Sequence, residues 1–265
     1  MGRIEQFVIR IPFLKKDRIV RVYLPESYDC EPVKRFPVLY MQDGQNLYDN
    51  SIAFGGQSWE VKKTMEELEA AGRTDGIIVV GIDNEGERRF FDYSPWENDE
   101  TTKTFLPDHI GGDGEKYAEF FVEVLKKYVD TYYRTKPDYE NTAVAGSSMG
   151  GYISTYIMAK YPNVFSKVGA FSTASWFNEE PFLEYIKNGK SLSKHKCFLS
   201  VGTNESSRQT DPMYQIYVNN TLNLQKALLK QGVEPENLEL LVNVGENHCE
   251  ISWSLHFKQF IEFIF

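Results

Sequence analysis

Residues 146–150 read Gly-Ser-Ser-Met-Gly, the Gly-x-Ser-x-Gly spacing of an activated serine. A short apolar run at 142–145 predicts a buried strand before this motif, and residues 152–160 predict a helix after it. A sharp turn between a strand and a helix would expose the hydroxyl of Ser148. Ser147 lacks symmetric glycine neighbours. An ordinary turn of small residues would have the same spacing, so the assignment depends on finding a base and an acid.

The base is predicted from the four histidines of the chain. A serine nucleophile needs a general base that titrates near neutral pH, and histidine is the usual one. His248 follows a predicted strand at 238–242, in a loop at the carboxyl end of the sheet, so we predict that it is the base. The others are less suitable: His109 precedes a glycine-rich turn, His195 lies between two lysines, and His256 falls within a predicted terminal helix.

The acid that orients the base is expected between the serine and the histidine in the sequence. Glu205 lies just beyond a predicted strand at 197–201 and is our candidate. Asp211 is the alternative, but the Asp-Pro pair that it begins is typical of a helix N-terminus. The acid would fix the tautomer of the imidazole and stabilise the imidazolium.

Two backbone amides are the expected donors to a tetrahedral oxyanion. One belongs to Met149, which follows the candidate nucleophile. The other is expected in the loop after the third strand, where Gly44 permits a tight turn and Gln45 presents its amide. An Asp-Gly turn without a catalytic role is the alternative for this loop.

The elements that must position these groups alternate along the chain. From about residue 36 strands and helices follow one another, which predicts a mostly parallel sheet with helices on both faces. Two earlier strands with partial alternation would add an antiparallel edge. The predicted strands are 6–11, 19–24, 36–41, 77–82, 142–145, 168–171, 197–201 and 238–242, and the predicted helices are 58–71, about 117–132, 152–160, 211–229 and 251–265.

Composition and charge exclude several classes of protein. The chain has 265 residues, 42% of them hydrophobic, with no repeat or linker, so we expect a single domain over 1–265. A net charge of −9 argues against binding nucleic acid or an anionic membrane. The longest apolar run, 77–82, is far too short to span a membrane. Three sparse cysteines and charges near the N-terminus lead us to expect a cytoplasmic protein.

The substrate pocket is expected to use aromatic and basic side chains that follow strands. Trp176, Trp96 and Tyr48 are the candidates to stack on a sugar or aryl group, and Arg88 is the candidate to contact a polar leaving group. Core packing is the alternative for the aromatic residues and a solvated surface for the arginine. The histidines are scattered, and the glycines at 111–114 lack the end of a phosphate-binding loop, so we expect no metal and no cofactor.

Several segments together resemble one known family, the putative-esterase branch of α/β-hydrolases. This branch includes the esterase D type and family 1 carbohydrate esterases such as feruloyl and acetylxylan esterases. The similar segments are Tyr-Met-Gln-Asp-Gly-Gln-Asn-Leu at 40–47, Val-Gly-Ile-Asp at 80–83, Tyr-Ser-Pro at 93–95, Tyr-Arg-Thr at 133–135 and Ala-Gly-Ser-Ser-Met-Gly-Gly at 145–151.

The resemblance extends from about residue 18 to the last residue and implies an α/β-hydrolase fold. It also implies Ser148 as nucleophile, Glu205 as acid and His248 as base, with Gln45 and Met149 as oxyanion donors. We therefore predict a serine carboxylesterase for small-molecule acetyl or aryl-acyl esters, with a sugar as one candidate alcohol. An acyltransferase with the same acyl-enzyme and a catalytically silent binding protein remain as alternatives. The sequence leaves the oligomeric state open.

Overall fold

The computed structural model describes residues 1–100, 102–104, 106–206 and 215–265. Within these residues the strands are β1 (Arg3–Ile11), β2 (Lys16–Leu24), β3 (Val38–Gln42), β4 (Ile78–Ile82), β5 (Thr142–Ser147), β6 (Lys167–Phe171), β7 (Lys196–Asn204) and β8 (Leu238–Asn247). They form one sheet of eight strands in the order β1-β2-β4-β3-β5-β6-β7-β8. β1 is antiparallel to β2, β2 is antiparallel to β4, and every other neighbouring pair is parallel.

This topology confirms the predicted α/β fold class, including the antiparallel edge near the N-terminus. Each predicted strand has a counterpart in the sheet, and β7 and β8 extend furthest beyond the prediction at their carboxyl ends. β7 continues to Asn204 and β8 continues to Asn247, beyond the apolar residues that identified them. Apart from the exposed Val244, the extra residues are polar or glycine, and ladder hydrogen bonds rather than apolar burial keep them extended.

Helices cover both faces of the sheet, as predicted. They are α1 (Glu26–Cys30), α2 (Val61–Ala70), α3 (Arg89–Asp92), α4 (Gly114–Phe120), α5 (Lys127–Tyr132), α6 (Met149–Lys160), α7 (Glu179–Lys187), α8 (Ile216–Lys230) and α9 (Glu250–Ile264). A π-helical segment, Phe121–Lys126, joins α4 to α5. The predicted start of α8 at Asp211 lies outside the described residues. In the described part of the chain, no helix has the length and apolar character needed to cross a membrane.

The buried core forms two layers, one on each side of the sheet. Alternate residues of β3 enter different layers: Val38 and Tyr40 belong to one, and Leu39 and Met41 to the other. α4 to α8 contribute to the first layer, whereas α2 and α9 contribute to the second. Because β3 is buried on both faces, it reads in the sequence as a continuous apolar run.

Candidate active site

Ser148 occupies the turn between β5 and α6, at the carboxyl end of β5. Its backbone has φ 56° and ψ −125°, a combination that non-glycine residues rarely adopt. Its amide donates to the carbonyl of Phe171 at 2.8 Å, and its own carbonyl accepts from the amides of Tyr152 and Ala174, each at 3.1 Å. The end of β6 and its loop therefore hold the serine in the strained conformation expected of a nucleophile elbow.

The two glycines of the motif are explained by close contacts with neighbouring elements. A Cβ at Gly146 would lie 2.6 Å from the carbonyl carbon of Gly150. A Cβ at Gly150 would lie 3.0 Å from the Cβ of Gln42 on β3. Larger residues at either position would push α6 away from the strands, and the turn that carries Ser148 would change with it.

His248 and Glu205 lie together at the carboxyl ends of β8 and β7. His248 Nδ1 is 2.5 Å from Glu205 Oε2, and the carboxylate is completely buried whereas the imidazole is 23% exposed. The other carboxylate oxygen accepts from the Gly202 amide and from the Ser172 hydroxyl, both at 2.6 Å. These bonds fix the carboxylate, which in turn orients the imidazole and leaves its Nε2 for proton transfer.

Aromatic rings hold the imidazole from two directions. The centre of the Tyr217 ring is 4.5 Å from that of His248, and Trp253 makes an edge contact with a centroid separation of 4.9 Å. Trp253 Nε1 donates to Ser172 Oγ at 2.8 Å, so the same tryptophan supports the serine that binds the carboxylate. Among the described residues no direct hydrogen bond joins Ser148 to His248, and serine–histidine hydrogen bonds in enzymes often tighten only when substrate binds.

The loop after β3 lies against the serine turn, where the sequence predicted an oxyanion donor. Asp43 has a left-handed conformation, with φ 57°, and is followed by the turn Gly44–Asn46. A Cβ on Gly44 would lie 2.6 Å from the carbonyl carbon of Gly81, so the loop packs directly on β4. The Gln45 side chain accepts from the Asn84 amide at 3.1 Å, which holds this residue in place.

Met149 supplies the second candidate donor, because it is the first residue of α6 and its amide has no acceptor within the helix. The two loops are close: a Cβ on Gly150 would lie 3.1 Å from Asp43 Oδ2. Arg89 reinforces this junction by donating to both Asp43 carboxylate oxygens, at 2.9 and 2.8 Å, and to the Ser147 carbonyl at 3.3 Å.

A second buried carboxyl group, that of Glu250, lies beneath the same loop. Glu250 is the first residue of α9 and accepts from Asn46 Nδ2 at 3.0 Å. Burial raises its pKa to about 7, and the negative charge of Asp43 acts in the same direction. The group links the loop after β3 to the helix that follows His248.

The structure brings one of the predicted pocket residues to this site and leaves three elsewhere. Trp176 makes an edge contact with Tyr217, with a centroid separation of 6.3 Å. Tyr48 donates its hydroxyl to the Val79 carbonyl of β4. The remaining contacts are Trp96 with Tyr156 and Tyr185 on α6 and α7, and Arg88 with Asp92 and Asp113.

The contacts of Tyr48 and Trp96 thus match the alternative of core packing, whereas Arg88 is neither at the site nor on a solvated surface but is paired with Asp92 and Asp113. Asp211, the alternative acid, lies outside the described residues. Three further residues of the site, Tyr217, Ser172 and Trp253, were not predicted from the sequence. No motif marks them, and only packing brings these residues of different elements together around His248 and Glu205.

The chain matches the family described as putative esterase over residues 12–260. An uncharacterised protein of Bacillus subtilis, YbbA, is 24% identical over 249 residues, which cover 94% of this chain and 93% of that protein. An endo-1,4-beta-xylanase/feruloyl esterase of Xylanibacter ruminicola is 26% identical over 260 residues, covering 95% of this chain and 30% of that larger protein.

Solved structures share the fold at lower identity. A ferulic acid esterase has a TM-score of 0.75 at 20% identity, with coverage of 100% of this chain and 98% of that one. The enterobactin esterase FES of Shigella flexneri also has a TM-score of 0.75, at 18% identity, with coverage of 99% and 58%. From the family match over nearly its whole length, the chain belongs to the putative esterase family of α/β-hydrolases and is a carboxylic ester hydrolase.

Proposed function

We propose that this protein hydrolyses small acyl esters through a covalent acyl-enzyme on Ser148, with His248 as the base and Glu205 as the acid. The observation that carries the proposal is the buried Glu205–His248 pair, 2.5 Å apart, at the same sheet edge as the strained Ser148. A buried carboxylate that orients a partly exposed imidazole is the arrangement that activates a serine hydroxyl.

In acylation, Ser148 Oγ attacks the ester carbonyl carbon while His248 Nε2 accepts the hydroxyl proton. The carbonyl electron pair moves to oxygen, and the amides of Met149 and Gln45 stabilise the resulting oxyanion. Each such donor contributes about 3–4 kcal/mol of transition-state stabilisation. The intermediate collapses, the bond to the alkoxy oxygen breaks, and His248 returns its proton to the departing alcohol.

In deacylation, water occupies the place of the alcohol and His248 removes one of its protons. The resulting hydroxide attacks the acyl carbon, the bond to Ser148 breaks, and the serine recovers its proton from the histidine. The products are a carboxylic acid and the free enzyme. Glu205 remains ionised throughout and stabilises the imidazolium that forms twice in each cycle.

The substrates that we propose are acetyl or aryl-acyl esters, with a sugar as the alcohol. Trp176, which contacts Tyr217 beside the catalytic histidine, offers a flat apolar face for an aryl group or a sugar ring. The printed names of two similar proteins, a feruloyl esterase and a ferulic acid esterase, support an aryl-acyl group. We also propose that the chain acts as one domain in the cytoplasm, since its three cysteines are free thiols.

The test compares hydrolysis of p-nitrophenyl acetate by the wild type, Ser148→Ala and Ser147→Ala. Ser147 is the matched control, since it is the neighbouring serine but ends β5 and is buried. We expect Ser148→Ala to lose turnover by about 10⁶-fold and labelling by a fluorophosphonate probe, with an unchanged circular dichroism spectrum. Ser147→Ala should remain labelled and active. Full activity of folded Ser148→Ala would refute the proposal.

Adding an alcohol acceptor to the same assay separates hydrolysis from acyl transfer. If water is the acceptor, acid release equals p-nitrophenol release at every acceptor concentration. A new ester that grows with the acceptor at the expense of the acid would instead identify an acyltransferase.

A further inference from the structure

Tyr217 is a buried aromatic residue beside the proposed catalytic group that the mechanism above does not use. It is the second residue of α8 and only 8% exposed. The centroid of its ring lies 4.5 Å from the centroid of the His248 ring, and the planes of the two rings make an angle of 44°. Its other aromatic neighbour is Trp176, the proposed wall of the pocket. Tyr217 therefore lies between the proposed base and the proposed pocket.

The environment keeps the phenol of Tyr217 neutral. Burial raises its pKa to about 12, while hydrogen bonding from Trp176 and Ser148 lowers it and the charge of Glu205 raises it. A neutral phenol retains its proton throughout the working range of the enzyme and can donate a hydrogen bond. Ser148 is among the groups that lower this pKa, and the Tyr217 ring packs on that of His248, so the phenol belongs to the same cluster of side chains as the proposed nucleophile and base.

The position of Tyr217 relative to the proposed oxyanion donors indicates which oxygen of the ester its hydroxyl faces. The proposed oxyanion donors, Gln45 and Met149, belong to the loop after β3 and to α6. Tyr217 comes from α8 and packs on His248, the residue that must protonate the departing alcohol. An ester held at Ser148 with its carbonyl oxygen towards the two amides has its alkoxy oxygen on the histidine side.

We propose that Tyr217 is a further catalytic residue, whose hydroxyl donates a hydrogen bond to the alkoxy oxygen of the ester bound at Ser148. This inference rests on the proposed esterase function. When the tetrahedral intermediate collapses, the electron pair of the breaking bond moves to the alkoxy oxygen. The hydrogen bond from Tyr217 stabilises that developing charge while His248 transfers its proton to the same oxygen. Tyr217 keeps its own proton, so no additional group is needed.

The contribution of Tyr217 to catalysis should therefore depend on the leaving group of the ester. A p-nitrophenolate is stable without assistance, whereas an alkoxide from an alkyl ester needs both a proton and a hydrogen bond to leave. Tyr217→Phe keeps the ring on His248 and removes only the hydroxyl. Because kcat/KM covers the steps up to departure of the alcohol, it is the parameter that reports this role.

The experiment measures kcat/KM for ethyl acetate and p-nitrophenyl acetate, which share one acyl group. We expect Tyr217→Phe to lose about 10- to 100-fold on ethyl acetate and less than about 3-fold on p-nitrophenyl acetate. Tyr217→Leu, which also removes the ring from His248, should lose activity on both esters. Tyr132→Phe is the matched control, because Tyr132 is 68% exposed on α5 and should be neutral on both.

Equal losses of Tyr217→Phe on the two esters, or no loss on either, would overturn the leaving-group role. Ser148→Ala separates this result from the proposed function. If the wild type hydrolyses both esters and Ser148→Ala neither, the function stands, and the ratio of the two losses alone decides the role of Tyr217. If the wild type hydrolyses neither ester, the function and the inference that rests on it are both overturned.

Discussion

Replacing Glu250 by glutamine should change how the stability of this protein depends on pH. The Glu250 side chain lies beneath the loop after β3 and accepts a hydrogen bond from Asn46. Burial raises its pKa from 4.5 to about 7 in the folded protein. Glutamine has nearly the same shape and retains an oxygen that can accept from Asn46, but it cannot ionise. The substitution therefore isolates the effect of the charge.

The magnitude follows from linkage between protonation and folding. Below pH 4.5 Glu250 is protonated in both states, so its ionisation has no effect on stability. Between pH 4.5 and about 7 the unfolded chain loses the proton first, and the wild type becomes less stable as the pH rises. Above about pH 7 the loss is complete and amounts to about 3 kcal/mol, since one pKa unit is about 1.4 kcal/mol. The variant has no such loss.

Urea unfolding, followed by the fluorescence of the four tryptophans, measures the effect between pH 4.5 and 8. The sequence pI of about 5.1 requires low protein concentration at the acidic end. We expect the variant to gain about 3 kcal/mol relative to the wild type across this range. Glu119→Gln is the control, because Glu119 is exposed and should give a constant difference. A constant difference for Glu250→Gln as well would refute the reasoning.

Two further predictions concern the proposed acid and its support. Glu205→Gln should lower kcat by about 10³- to 10⁴-fold, because an amide cannot hold His248 in the required tautomer, with little change in circular dichroism. Steady-state hydrolysis of p-nitrophenyl acetate measures this loss, and near-normal kcat would contradict the assignment of the acid. Ser172→Ala removes the donor to Glu205 Oε1 and the acceptor of Trp253 Nε1, which should cost about 1–3 kcal/mol of unfolding free energy. Urea denaturation measures this cost, and an unchanged midpoint would argue against a supporting role.

The sheet could be predicted from the sequence because its central strands are buried on both faces. β4 is apolar along its length and β3 is apolar up to Gln42, and each is bounded by turn residues or charges. α7 was not predicted, since its first turn is Glu179-Glu180-Pro181 and its apolar residues make only a short pattern. Such a helix forms because Phe182 and Ile186 pack against the core, and that contact cannot be read from periodicity alone.

Some residues of the candidate site are marked by local sequence patterns, whereas others are brought to it only by packing. The strand-to-helix turn that carries Ser148 was predictable because it is specified by residues within two positions of the serine and by the elements on either side. The pairing of Glu205 with His248 followed from the position of each just beyond a strand, since parallel strands end at a common edge. Tyr217 and Trp253 lie on helices, and their contacts with His248 depend on how α8 and α9 dock. No local sequence pattern specifies how these two helices dock.

Three strained backbone positions lie where the proposed mechanism needs them. Asp43, Ser148 and Ser172 directly follow β3, β5 and β6, which are adjacent in the sheet, and all have positive φ. Each such conformation costs on the order of 1–3 kcal/mol and persists only where neighbouring contacts fix it. Here those contacts are the Arg89 ion pair with Asp43 and two amide hydrogen bonds. The Ser148 amide donates to the carbonyl of Phe171 on β6, and the Ser172 amide donates to the carbonyl of Ser200.

Each strained turn redirects the chain at the point where a strand ends. Asp43 begins the loop that carries one proposed oxyanion donor, Ser148 is the proposed nucleophile, and Ser172 holds the proposed acid. A rigid sheet thereby places three separate loops in one fixed arrangement before any substrate arrives, which is the condition for electrostatic preorganisation.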